Sequence, residues 1–260
     1  MPVTYSSYLR LDELLSLQEP LSEGPEHDEM LFIVIHQVYE LWFKEMLHEI
    51  DYLRSLLERR DPPRALHTLK RVLTILKVAV AQIDILETMT PLEFLTFRER
   101  LESGSGFQSF QFRELEFVLG RKHRAAIERY PEGSEHRRRI ERRLAEPTLW
   151  DSFLRFLQGS GYPVPREAME RDVAAPIAPM PSLHPVLIEA YRGDPTAASL
   201  CERLVDLDEG IQEWRYRHVK MVQRTIGTRT GTGGSEGAAY LMTTLNQPCF
   251  PDLWAIRTEL

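Results

Sequence analysis

A chain of 260 residues, 43% hydrophobic and 27% charged, is long enough for one sizeable core and has the balance of an ordinary globular protein. Its formal net charge of −7 argues against a general nucleic-acid binder, whose footprint is basic. The two cysteines, Cys201 and Cys249, lie far apart without a CxxC, which excludes a disulfide scaffold and a cysteine-based zinc or iron–sulfur site.

The first eight residues carry neither a basic start nor an apolar run, and no apolar stretch approaches a membrane span. A cytoplasmic protein with no membrane segment is therefore expected. From about 27 to 59, Leu31, Ile35, Val38, Trp42, Met46, Leu53 and Leu57 recur at three- and four-residue steps, predicting a long amphipathic helix. Pro62 and Pro63 break it. Ala65 to Glu87 repeats the pattern through Leu69, Val72, Leu73, Leu76, Val80, Ile83 and Leu86. Thr90 and Pro91 read as the N-cap and first-turn proline of the next helix, which the Ser103–Gly106 stretch ends. Phe107 to Leu119 makes one more. Further helices are expected at about 134–144, 147–158, 183–191 and 196–226. The proline-rich, aperiodic stretch from Gly161 to Pro185 reads as a long loop with room for a short helix. No segment alternates as a strand would, and no internal repeat is evident. The expected fold class is all-α, and the length allows one domain or two small ones.

The arginine-rich runs at 121–124 and 137–143 are interleaved with or followed by Glu128, Glu132, Glu135 and Glu141. They read as a solvated helical surface laced with ion pairs rather than an anion-binding patch.

Three segments carry candidate chemistry. In the first, helical spacing puts Trp214, Met221 and Val222 on the face of His218, with Arg215, Arg217 and Lys220 towards other faces. A neutral imidazole among bulky apolar groups suits a haem iron. A lone histidine on an apolar face is more often a hydrogen-bonded core residue, so the segment alone leaves both readings open. The glycine-rich stretch at 227–237, next along the chain, lacks the GK[ST] ending of a P-loop, does not fit GxGxxG, and comes after a helix where both motifs need a strand. It reads as a lid over a pocket or as a plain connector, with Ser235 placed to N-cap a further helix.

In the second segment Phe32, His36, Tyr39 and Phe43 stand one helical turn apart, so His36 also lies among aromatics. It could meet the polar edge of a planar ligand or sit in a buried aromatic core. Glu45 and His48 match Glu-x-x-His, but a bundle di-iron site needs that motif twice plus two further glutamates, and no second copy exists. That pair reads as surface. In the third segment Phe94, Phe97, Arg98 and Leu101 are neighbours on one helix. A guanidinium beside rings can hold a carboxylate bidentately or form a structural ion pair.

Taken together, the segments resemble the tryptophan 2,3-dioxygenase family. The motifs that carry the resemblance are Tyr5 to Leu9, Phe32 to Lys44, Phe97-Arg98, Ser105 to Arg113, Arg217 to Val222, Gly231 to Ser235 and Phe250 to Thr258, in order along nearly the whole chain. The resemblance implies a single helical domain over residues 1–260, assembled as a homotetramer (a dimer of dimers) with one haem b per subunit, active as Fe(II), acting on L-tryptophan and O2. It implies His218 as the proximal iron ligand, with Ser105, Trp214, Met221 and Val222 against the cofactor. It implies His36 as the distal, catalytic histidine facing the indole N–H, with Phe32 beside the ring. Arg98 is the implied clamp on the substrate carboxylate, and Thr232 a second polar contact. Phe94 and Leu101 would line the pocket, and Tyr5, Tyr8 and Leu9 of residues 1–20 would close it from a neighbouring subunit. One departure stands out: the family continues Gly-Thr-Gly-Gly-Ser with a small polar residue, a glycine and an aromatic, where this chain has Glu236, Gly237, Ala238 and Ala239. A relative acting on a modified tryptophan or a simple indole is the alternative substrate reading. A helical haem-binding protein without turnover is the alternative of another class.

Overall fold

The computed structural model describes the chain apart from residues 1, 25, 103, 105, 230 and 232–237, and the backbone alone of residue 240. In chain order the helices are α1 (Tyr5–Leu9), α2 (Leu11–Leu14), α3 (His27–Glu58), α4 (Pro62–Leu86), α5 (Pro91–Phe97), α6 (Phe110–Val118), α7 (Glu135–Ala145), α8 (Leu149–Gly159), α9 (Arg166–Met169), α10 (His184–Gly193), α11 (Pro195–Ile226), α12 (Ala238–Thr243) and α13 (Pro251–Ala255). No strand occurs among the described residues, and no helix there is long and apolar enough to cross a membrane. The all-α expectation holds.

The three long helices dominate. α3 stops where Arg60 turns left-handed, with φ of 56°. α4 starts on the Asp61 cap and the Pro62–Pro63 pair, whose missing N–H groups fall where a helix has no intrahelical partner for them. α4 lies between α3 and α11 and packs extensively on both. Its Leu69, Val72, Leu76, Ala79, Val80 and Ile83 are all buried in the main core. At Gly210 the backbone of α11 comes up against the Leu76 side chain of α4, and a Cβ there would stand 2.6 Å from Leu76 Cδ2. α6 and α8 pack on α3, α7 on α6, and α10 and α13 on α11.

The C-terminal segment is tied down by one buried carboxylate. Asp208, on α11, accepts hydrogen bonds from the backbone N–H of Cys249 (2.9 Å) and Phe250 (3.0 Å), from Trp254 Nε1 (3.0 Å) and from Gln212 Nε2 (3.2 Å). A buried carboxylate is tolerated when its lone pairs are filled in this way.

Several boundaries differ from the sequence expectation. The helix opened by Thr90 tightens after Phe97 into a 3₁₀ turn, Arg98–Leu101. The segment expected to be helical from Phe107 starts at Phe110, where Ser109 caps it, after a 3₁₀ turn at Gly106–Gln108. The long loop contains α9 and a 3₁₀ turn, Pro181–Leu183, and is held by Arg171 on Asp151 (2.7 and 2.8 Å). The arginine run at 137–143 is paired as expected: Arg137 with Glu141, Arg139 with Glu114, and Arg143 with Asp51. The 121–124 run is not a solvated surface. Arg121 and Lys122 are both buried, and the Lys122 ammonium donates to the carbonyls of Leu144 and Glu146 at the end of α7. There a cation also meets the negative end of the helix dipole.

Gly120 joins these parts. It has φ of +95°, its carbonyl accepts from Ile177 N at 3.0 Å, and the Ile177 side chain occupies the space a Cβ would need. Gly120→Ala is expected to destabilise the protein by about 1–3 kcal/mol from the left-handed backbone alone. Gly120→Ala combined with Ile177→Ala is expected to relieve the clash and not the backbone strain, so urea unfolding of the pair should stay below the Ile177→Ala single variant.

Candidate active site

α3, α5 and α11 converge on one cavity of about 450 Å³, within the range of small-molecule sites. Phe32, His36, Phe94, Arg98, Leu101, Trp214, His218, Met221 and Val222, all singled out in the sequence, line it together. Ser105 and Thr232 lie outside the described residues. Tyr5, Tyr8 and Leu9 do not reach the cavity of their own chain: they sit on α1, 76%, 77% and 42% exposed.

His36 comes from the middle of α3. Its Nδ1 lies 2.7 Å from the Phe32 carbonyl oxygen one turn back. A carbonyl can only accept, so Nδ1 carries the hydrogen and Nε2 keeps a lone pair, which makes no hydrogen bond to a described residue. Burial pushes the His36 pKa below its ordinary value, against the pull of the Phe32 carbonyl and of Glu40. The ring is neutral at neutral pH. Phe32 lies against it, ring centroids 4.1 Å apart, and Phe94 and Phe97 continue the aromatic wall at 5.9 and 5.5 Å from Phe32.

His218 comes from the last third of α11. Trp214, one turn earlier, stacks on it at 5.0 Å and 13° between planes. Phe112, Phe43 and Tyr39 surround Trp214 at 4.7, 6.2 and 6.3 Å. Burial lowers the His218 pKa to about 4, with a further push from His36, so the two imidazoles feel each other across the cavity. The His218 ring makes no hydrogen bond to a described residue. A satisfied core histidine would have one, so an imidazole nitrogen is available as a ligand. Both rings are half-buried, their accessible surface belonging to the cavity wall.

Among the described residues no group of three or more His, Cys, Asp or Glu could hold a metal ion by itself. Glu45 is half-buried and His48 exposed, which agrees with their surface reading. One neutral imidazole in an aromatic-walled slot suits a metal that brings its own equatorial ligands, so these residues fit a haem.

Sequence reasoning missed one end of the cavity. Arg113 and Glu116 of α6, Arg121 and Arg215 line it and are buried. Arg215 does not fall away from the His218 face: its Nη2 donates to Glu116 Oε1 at 2.9 Å. The available signal was the Arg113/Glu116 spacing of three, which pairs them on a helix. Glu40 also lines the cavity, and its carboxylate and backbone carbonyl accept from Gln111 Nε2 at 2.8 and 2.9 Å.

Comparison with known proteins bears directly on this geometry. A family model described as Tryptophan 2,3-dioxygenase matches residues 1–158 and 182–260, leaving out the stretch that carries α9. The chain is 60% identical to the tryptophan 2,3-dioxygenase of Herpetosiphon aurantiacus over 99% of this chain and 98% of that one. It is 57% identical to the enzyme so named from Anaeromyxobacter sp. strain K, over 99% and 96%, and 44% identical to that of Caulobacter vibrioides, over 99% and 98%.

Trp214 braces the His218 ring, and its removal should register in both stability and ligand geometry. Trp214→Ala is expected to cost about 3–5 kcal/mol in urea unfolding through the cavity it leaves. Trp214→Phe, which keeps a stacking ring, should lose less.

Proposed function

Because the chain belongs to the tryptophan 2,3-dioxygenase family, we propose that it inserts both atoms of O2 across the indole C2–C3 bond of L-tryptophan. The product is N-formylkynurenine, the first step of tryptophan degradation by the kynurenine pathway. The cofactor in this reading is haem b, which when bound supplies the ferrous iron that activates dioxygen. The observation that carries the proposal is the pair of neutral imidazoles, His36 and His218, facing one aromatic cavity from different helices with Arg98 on its wall.

His218 holds the iron, with the ring plane set by Trp214, and Met221, Val222 and Ser105 border the cofactor. His36 accepts a hydrogen bond from the indole N–H at Nε2. It positions the ring rather than removing the proton, because indole N–H is a far weaker acid than imidazolium at about 6.5. Phe32, Phe94 and Leu101 take the indole body. Burying an aromatic side chain of roughly 150–250 Å² at about 25 cal/mol per Å² captures it but discriminates poorly among aromatics. Selection falls to Arg98 on the carboxylate, Thr232 on the carboxylate or ammonium, and His36 on the indole N–H; charge-assisted contacts are worth roughly 1.5–3 kcal/mol each. α1 supports a tetrameric reading: its Tyr5, Tyr8 and Leu9 are exposed in the single chain and are available to close a neighbour's cavity. The whole chain acts as one domain, in the cytoplasm.

The decisive experiment is anaerobic reduction of the haem-loaded protein, addition of L-tryptophan and ¹⁸O-labelled dioxygen, and mass analysis of the product. Two labelled atoms are expected; a Soret band without substrate-dependent oxygen uptake would mark a haem binder without turnover. Turnover of 3-methylindole but not L-tryptophan would assign the altered loop at 236–239 to a different substrate. His218→Ala is expected to abolish the haem spectrum while leaving far-UV circular dichroism unchanged. His36→Ala should keep measurable turnover, and complete loss with substrate and haem still bound would sink the positioning role. Arg98→Gln is expected to raise KM for L-tryptophan about ten- to a hundredfold, the equivalent of one charge-assisted contact, with little change for an indole lacking the carboxylate.

A further inference from the structure

Trp214 carries one polar group that its stack on His218 leaves idle. The indole Nε1 is buried in a residue only 9% exposed, and it makes no well-aligned hydrogen bond to a described residue. Unpaired buried donors are costly, so such a group calls for a partner close by. Tyr39 supplies one. The two rings meet edge to face, with centroids 6.3 Å apart and planes at 74°. Tyr39 gives its own hydrogen to the Ala79 carbonyl at 2.7 Å, which leaves lone pairs on the same oxygen free to accept. Burial pushes the phenol pKa up, and the Trp214 N–H facing its oxygen is the foremost group pulling the other way. The hydroxyl therefore stays neutral, with its hydrogen committed to α4 and its lone pairs turned towards α11.

Phe112 and Phe43, the other rings against Trp214, stand at 4.7 and 6.2 Å and fill space without fixing a direction. A hydrogen bond has a preferred line. Indole and imidazole lie within 13° of parallel, so a turn of Trp214 carries the His218 ring with it. Tyr39 is on α3, Ala79 on α4 and Trp214 on α11, so one hydroxyl joins the three long helices one turn before His218. We propose that Tyr39 is a positioning residue for His218: its hydroxyl accepts the Trp214 indole N–H and, through the stacked rings, sets the rotation of the imidazole about its bond to iron. The inference rests on the haem reading above and adds what fixes the ligand's orientation. That rotation governs how the imidazole π system meets the iron, a route by which groups beyond the ligands tune a metal.

Tyr39→Phe keeps the ring and its packing and removes only the oxygen. The first arm of the test uses the haem-free chain with ¹⁵N-labelled tryptophan, whose four indoles give four N–H resonances. Trp214→Phe identifies the Trp214 signal by its loss. In Tyr39→Phe that signal is expected to shift upfield while the other three hold their positions. An unmoved Trp214 signal overturns the hydrogen bond and the proposal with it. The second arm uses the ferric cyanide complex of the haem-loaded protein, where the pattern of haem methyl proton shifts follows the angle of the axial imidazole. Tyr39→Phe is expected to change that pattern, and Trp214→Phe to change it as well. In the double variant Tyr39→Phe should add nothing to Trp214→Phe, the signature of action through Trp214. Changes that simply add would overturn that route. A lower urea midpoint in Tyr39→Phe with the methyl pattern intact assigns the hydroxyl to stability alone and overturns the proposal too. Failure of the wild-type protein to bind haem would sink the haem reading and the ligand claim built on it, with the indole shift still deciding the hydrogen bond.

Discussion

How closely α11 can lie against α4 decides where everything on α11 ends up. At Gly210 the α11 backbone rests on the Leu76 side chain of α4, which would have to shift to admit a methyl group. α11 is one uninterrupted helix of 32 residues, so this contact fixes a rigid rod. Trp214, Arg215 and His218 come within about two turns of it, at 1.5 Å per residue. A small outward shift at the crossing would carry the imidazole with it, and with it the register of Arg215 on Glu116. α3 is located by its own packing on the other side of α4, so the opposition of His36 and His218 is a property of the three-helix stack.

The cavity divides its work between apolar and polar walls. Burial in its aromatic lining keeps both imidazoles uncharged, so that each retains a lone pair with which to bind a metal or accept a hydrogen bond. The same lining discriminates weakly, because apolar burial scales with area and most aromatics offer similar areas. Direction comes from a few charged and hydrogen-bonding groups at the edges: Arg98 at one place, the Arg113–Glu116–Arg215 group at another.

The legibility of the sequence tracks the range of the forces involved. Apolar spacing over many residues predicted α3, α4 and α11 closely, and local capping chemistry located the start of α5 at Thr90–Pro91. The short helices α1, α2, α12 and α13 carry too few turns for periodicity to register. Charge was the main source of error. Arg121, Lys122 and Arg215 sit in stretches that look solvated, yet each is buried because a partner distant in sequence is waiting: Gln247, the end of α7, and Glu116. Nothing local announces such partners. His36, Arg98 and His218 were visible as candidates, but their neighbours allowed a plain core reading of each. Only the motif order along the chain supplied roles, and only the fold brought them to one cavity.

The Asp208 clamp also constrains when the cavity can exist. Its carboxylate sits in the middle of α11, and three of its four donors belong to Cys249, Phe250 and Trp254. During synthesis α11 leaves the ribosome roughly forty residues ahead of those donors, and until they arrive water must solvate the carboxylate at its centre. The helix can form early, but it cannot settle into its final groove until nearly the whole chain is out. The last residues of the fold thereby set the position of a helix whose own sequence ends well before them.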